Sequence, residues 1–66
     1  MNYGQNIKRL REKHGMSQCE LAKAMGISAV MVCGWERGNK KISLENLVVL
    51  ADVLLTTTDE ILGRKR

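Results

Sequence analysis

The sequence predicts an all-α fold, a compact bundle of five short helices in one small domain spanning residues 1–66. Three observations predict it. The chain has no proline and few β-branched runs, so little in it breaks helices or builds strands. Apolar residues recur three and four positions apart rather than alternating. Between these stripes, Gly15, Gly26 and Gly38 stand where helices need left-handed stops, and Ser or Thr residues stand where they need N-caps.

Helix 1 is expected from about Gln5 to His14, with Ile7 and Leu10 as its apolar stripe and Lys8, Arg9, Glu12 and Lys13 around the rest. Helix 2, Gln18 to Met25, opens on a capping box in which Ser17 is the cap and Glu20 reciprocates. Leu21, Ala22 and Met25 share its inner face, and Gly26 ends it. Helix 3 follows Ser28 as N-cap, runs to about Arg37 and stops at Gly38. Helix 4 starts near Ser43 and runs to about Leu54, with Leu47, Leu50, Ala51 and Leu54 on one stripe. Helix 5 is short: Thr57 and Glu60 offer a second capping box, and Ile61 and Leu62 face the core. The basic tail Arg64-Lys65-Arg66 is expected to fray.

Composition narrows the function. A chain of 66 residues buries only roughly 60% of its unfolded surface, which leaves no room for a deep catalytic pocket. The net charge of +4 directs it toward nucleic acid, anionic membrane or acidic proteins. There is no signal peptide and no apolar run near the ~20 residues a membrane span requires, so the expected location is cytoplasmic, at the nucleoid. Cys19 and Cys33 are then free thiols; neither lies in a CxxC, and His14 is the only histidine, so no metal site is expected. No paired-carboxylate cleft, Cys–His pair or phosphate loop is in evidence. The chain is read as not an enzyme, with no cofactor, membrane partner or small-molecule ligand.

Helices 2 and 3 are joined by Gly26-Ile27-Ser28 alone, the layout of a helix-turn-helix over about residues 17–37. Leu21, Met25, Ile27, Val32 and Trp35 supply its apolar contacts. Ala22 sits where the two helices cross closely, and Gly26 where the chain must turn with positive φ. At about 100° per residue, Ser28, Val32, Trp35 and Glu36 share the core side of helix 3. Val30, Cys33, Gly34 and Arg37 face the opposite way, with Ala29 and Met31 on the flanks.

The stretch "MSQCELAKAMGIS", followed by "VCGWERG", resembles the lambdoid phage repressor and Cro family, the xenobiotic-response-element type of helix-turn-helix regulator. With "ENL" and "DEILG" in order, the resemblance runs from about Ile7 to Gly63. It implies a sequence-specific regulator of transcription, a repressor, that binds double-stranded DNA as a homodimer on a near-palindromic operator. It also implies that helix 3 enters the major groove. Its base-reading positions fall on Ala29, Val30, Cys33 and Gly34. Relatives often carry Gln, Asn, Arg or Ser there, whereas this chain has no such side chain before Arg37. Specificity is therefore expected from Val30 and Ala29 on thymine methyl groups, with Gly34 admitting the backbone closely, and from DNA shape.

Phosphate contacts are expected from Ser17, Gln18 and Ser28 at the helix N-termini, and from Arg37, Asn39, Lys40 and Lys41 in the basic turn. Arg11 and Glu36 would by default be a surface pair; the family pattern makes them a buried salt bridge between helices 1 and 3. Leu55 and Thr56 stand where the family has Gly and an apolar residue, and are candidates for the dimer contact; the alternative is a core leucine at a shifted helix end. A redox role for Cys33 or Cys19 lacks a resolving partner and an activating charge, and small neutral fillers are the plainer reading. The alternative function is a helical protein-interaction module, antitoxin- or adaptor-like, with weak or lost DNA binding.

Overall fold

The computed structural model describes residues 3–63; the basic tail, residues 64–66, lies outside them. Five α-helices follow in order: α1 Tyr3–Lys13, α2 Gln18–Met25, α3 Ala29–Arg37, α4 Leu44–Val53 and α5 Thr58–Leu62. None of the described helices is long and apolar enough to cross a membrane.

Local chemistry sets most of the boundaries. Ser17 caps α2 through Oγ, which accepts from Glu20 N–H at 3.0 Å, while Ser17 N–H donates to the Glu20 carboxylate at 2.8 Å. The box is complete, and the Ser17 backbone amide first, then its hydroxyl, lower the pKa of the Glu20 carboxyl. Gly26 then closes α2 with φ 73°, a left-handed value that glycine adopts without steric penalty. Ser43 caps α4 through a bond from Asn46 N–H. At Thr57 only half a box forms: its Oγ1 accepts from Glu60 N–H at 3.1 Å. Ser28 has cap backbone geometry but makes no side-chain cap bond; its carbonyl instead accepts from Met31 N–H at 3.1 Å.

The core gathers one face of each helix: Ile7 and Leu10 from α1, Leu21 and Ala22 from α2, Val32 and Trp35 from α3, Leu47, Leu50 and Ala51 from α4, and Ile61 from α5, with Leu54 closing it. α3 is held between α1 and α2, α4 packs on α2, and α5 bridges α1 and α4. The expected apolar stripes of helices 1 to 5 supply this core, although Met25 and Leu62 are only half-buried against it. Trp35 is fully buried and is among the largest side chains of this core.

The structure differs from the sequence reading in two places. α1 already includes Tyr3 and Gly4, ahead of the expected Gln5, and Gly4 packs beneath the end of α3: a Cβ there would collide with the Trp35 carbonyl oxygen and lie 2.7 Å from that of Glu36. The missing side chain is what lets α1 approach so closely. Tyr3 is useful for another reason, since its hydroxyl accepts from Ile42 N–H at 3.0 Å and so ties the segment before α4 to the start of α1.

The second difference is at the end of α4. Leu55 is the one non-glycine residue with positive φ among the described residues, at 52°. Thr56 N–H reaches the Ala51 carbonyl at 2.9 Å and Leu55 N–H the Asp52 carbonyl at 3.2 Å, the bond pattern of a Schellman stop. That motif wants glycine at this position. Leu55 is also 84% exposed, so it is not a core residue at a shifted helix end. His14 Nε2 donates to the Leu54 carbonyl at 2.7 Å and satisfies one free acceptor at the same helix end.

Candidate nucleic-acid interface

A shallow groove of about 420 Å³ runs along the outward side of α3, lined by Gln18, Ala29, Val30, Cys33, Gly34, Arg37, Asn39 and Lys40. The helix supplies an apolar floor, and residues from the start of α2 and from the turn after α3 supply a polar and cationic rim. Val30 is 68% exposed; Cys33 is half-buried and a free thiol. Ala29 is half-buried against the core cluster rather than standing free on a flank.

Gly34 departs most from the expected picture, because it is buried and not part of a bare outward surface. The lysine at position 40 covers it: a Cβ at Gly34 would meet Lys40 Cγ and Cδ at 2.8 Å. The Gly34 carbonyl accepts from Asn39 N–H at 2.9 Å and Lys40 N–H at 3.2 Å, which folds the turn back over the helix. Sequence spacing alone did not reveal this, since it follows from the path of the chain after Gly38.

Beneath the groove lies an ion pair. Arg11 Nε donates to Glu36 Oε2 at 2.7 Å and Nη2 to Oε1 at 3.0 Å, with side chains only 9% and 4% exposed. Arg11 Nη1 donates to the Met16 carbonyl at 2.8 Å, so the fork of the guanidinium is satisfied on both sides. The Glu36 hydrogen bond is the main cause that raises the Arg11 pKa above its ordinary value. Glu36 Oε1 also accepts from Gln18 Nε2 at 3.0 Å. A buried pair in the core thus fixes the one neutral amide side chain that α2 contributes to the groove.

The remaining residues named from sequence fall around this groove. Ser17 and Ser28 are both exposed at helix N-termini, but the two ends differ electrostatically. The α2 end already holds the Glu20 carboxylate, while the α3 end has no side-chain cap. No acidic side chain in the first turn of α3 offsets the partial positive charge there. Arg37, Asn39, Lys40 and Lys41 are all exposed, as are Lys8, Arg9 and Lys13 on α1. Leu55, with half-buried Thr56 beside it, lies apart from the groove residues, at the α4–α5 turn. No group of three potential metal-binding side chains occurs among the described residues.

The family model for a helix-turn-helix matches residues 7–61. Among characterised proteins, the HTH-type transcriptional regulator AnsR of Bacillus subtilis is 40% identical over 60 residues, which cover 91% of this chain and 52% of AnsR. The chain thus spans about half the length of that relative. Among solved structures, the restriction-modification controller protein C.AhdI of Aeromonas hydrophila is 37% identical, with a TM-score of 0.86 over 91% of each chain. The P22 c2 repressor, solved with a synthetic operator, is 31% identical, with a TM-score of 0.90 over 98% of each chain. The five-helix architecture, the capped α2–α3 turn and these likenesses agree: the chain belongs to the helix-turn-helix family of phage-repressor and Cro-like transcriptional regulators.

Proposed function

We propose that this chain is a sequence-specific DNA-binding repressor that acts as a homodimer on a near-palindromic operator, in the cytoplasm and without catalytic activity. The observation that carries the reading is the groove along α3, with an apolar floor at Ala29 and Val30 and a rim holding Gln18, Arg37, Asn39 and Lys40. An exposed helix of this kind fits a major groove, and two copies in successive grooves stand about 34 Å apart. Ala29, Val30 and Cys33 face base edges, with apolar contact to thymine methyl groups. Ser17, Gln18, Ser28, Arg37, Asn39 and Lys41 hold phosphates around them. The kinship with an operator-bound repressor supports this arrangement.

The dimer contact is assigned to Leu55 and Thr56. An 84% exposed leucine in a left-handed conformation is unfavourable twice over in a lone protomer, and a second copy covering it removes the first penalty. The second reading, a protein-interaction module with lost DNA binding, draws on the further exposed side chains Leu44, Val48 and Val49 of α4.

Selection from random duplexes separates the two. The repressor reading expects a palindromic motif whose half-sites are centred about 10 base pairs apart, one helical turn. Recovery of no motif, with weak binding that ignores sequence, would leave the interaction module as the better account.

A further inference from the structure

The outward face of α3 lacks a strong hydrogen-bonding side chain before Arg37. Ala29, Val30 and Gly34 offer none, and Cys33 only a weak thiol donor. The gap at Gly34, however, is filled. The methylenes of Lys40 lie across it, so close that a Cβ at Gly34 would stand 2.8 Å from both Cγ and Cδ and 3.2 Å from Cβ of the lysine. The stem occupies the space that a side chain from position 34 would take.

Its backbone is fixed there from two sides. Lys40 N–H donates to the Gly34 carbonyl at 3.2 Å, and Tyr3 Oη donates to the Lys40 carbonyl at 3.5 Å. The neighbouring Asn39 and Ile42 amides are bonded to the same two groups, Gly34 and Tyr3. A lysine whose stem is already packed on apolar surface keeps its ammonium at the far end, in search of water or an acceptor. It also loses less freedom on binding than a free surface lysine. Lys40 lines the same groove as Val30, Cys33 and Arg37.

Resting on the DNA-binding reading above, we propose that Lys40, a residue outside α3, is the specificity-determining donor of this face, and that its ammonium reads a guanine edge in each half-site. Gly34 is its positioning residue. Lysine only donates, and guanine alone presents two adjacent acceptors, O6 and N7, in the major groove. Lys40 therefore leaves the set of phosphate-holding residues to which its place in a basic turn assigned it.

The test is selection from random duplexes with the wild type and with Lys40→Met, Gly34→Ala and Arg37→Met, followed by binding to single-position operator variants. Lys40→Met keeps the stem and removes the charge. The wild type is expected to prefer one guanine per half-site by about tenfold or more. Lys40→Met should flatten that position and leave the others unchanged. Gly34→Ala, which displaces the stem, should do the same, and a double variant combining Lys40→Met with Gly34→Ala should lose no further preference there. Circular dichroism checks that each variant is folded, and Lys40→Met alone decides the matter if Gly34→Ala is not. A loss shared equally by all sequences, with the salt slope reduced by about one, would make Lys40 a phosphate contact and overturn the assignment. Loss of the guanine preference in Arg37→Met but not in Lys40→Met would overturn it too. Absence of any selected motif in the wild type would overturn the DNA-binding reading and this assignment with it.

Discussion

At the scale of single residues, Leu55 and Glu36 carry the strongest consequences. Leu55 adopts φ 52° with its side chain in solvent. A left-handed L-residue costs about 1–2 kcal/mol, partly offset in a glycine replacement by the greater freedom of the unfolded chain. Leu55→Gly should therefore stabilise the isolated protomer by roughly 0.5–1 kcal/mol in urea unfolding. The same change should weaken self-association in sedimentation equilibrium. Opposite signs in the two measurements identify a residue kept for a contact; an unchanged dimerisation constant would remove Leu55 from the interface. Glu36 differs because both its oxygens are bonded. Glu36→Ala strands the buried Arg11 guanidinium and should lower stability by about 3–5 kcal/mol. Melting close to that of the wild type would contradict the buried pair.

These residues also show what spacing can and cannot reveal. The Arg11–Glu36 pair was legible only through family resemblance, since nothing in the spacing of a charged pair 25 positions apart says that it is buried. Leu55 was legible as an anomaly, but its exposure and its φ were not, because both depend on where the chain turns after α4. The burial of Gly34 beneath Lys40 was not legible at all: helical rotation places Gly34 outward correctly, and only the returning turn covers it.

At the scale of elements, capping chemistry and apolar periodicity were sufficient for α2 to α5, because those signals are local. They did not show that Tyr3 and Gly4 belong to α1, where Gly4 makes a close tertiary contact. Gly4 lies beneath backbone carbonyls of α3 that cannot move aside as a side chain would. Gly4→Ala should consequently destabilise the fold by about 1–3 kcal/mol in chemical denaturation, despite alanine's better helix propensity. Stabilisation would mean that α1 can shift at no penalty. The α2 capping box makes a pH prediction. Its bonds lower the carboxyl pKa of Glu20 in the folded state, so the folded protein binds that proton less readily than the unfolded chain. The resulting stability is complete above the unfolded carboxylate range and is lost as pH falls through the lowered folded value. Glu20→Gln, which preserves the cap geometry without the charge, should show a shallower acid loss of melting temperature than the wild type.

At the scale of the whole molecule, charge and apolar surface divide the work. The chain carries a net +4, yet the outward face of α3 between Ala29 and Gly34 carries no charge. Cations stand around that face, at Arg37, Lys40 and Lys41. In the proposed reading, long-range attraction and phosphate contact come from the rim, and discrimination comes from a small apolar face together with Lys40. The division was visible from sequence as a mismatch between a basic protein and a plain helix, and the structure gives it a geometry.

The most direct test of this account is the salt dependence of affinity for the selected operator beside that for an unrelated duplex. The account predicts a steep log–log slope on the operator, about −0.9 for each phosphate neutralised, and a preference for the operator that persists as salt rises. A slope near zero, or equal affinity for both duplexes at every salt concentration, would contradict it.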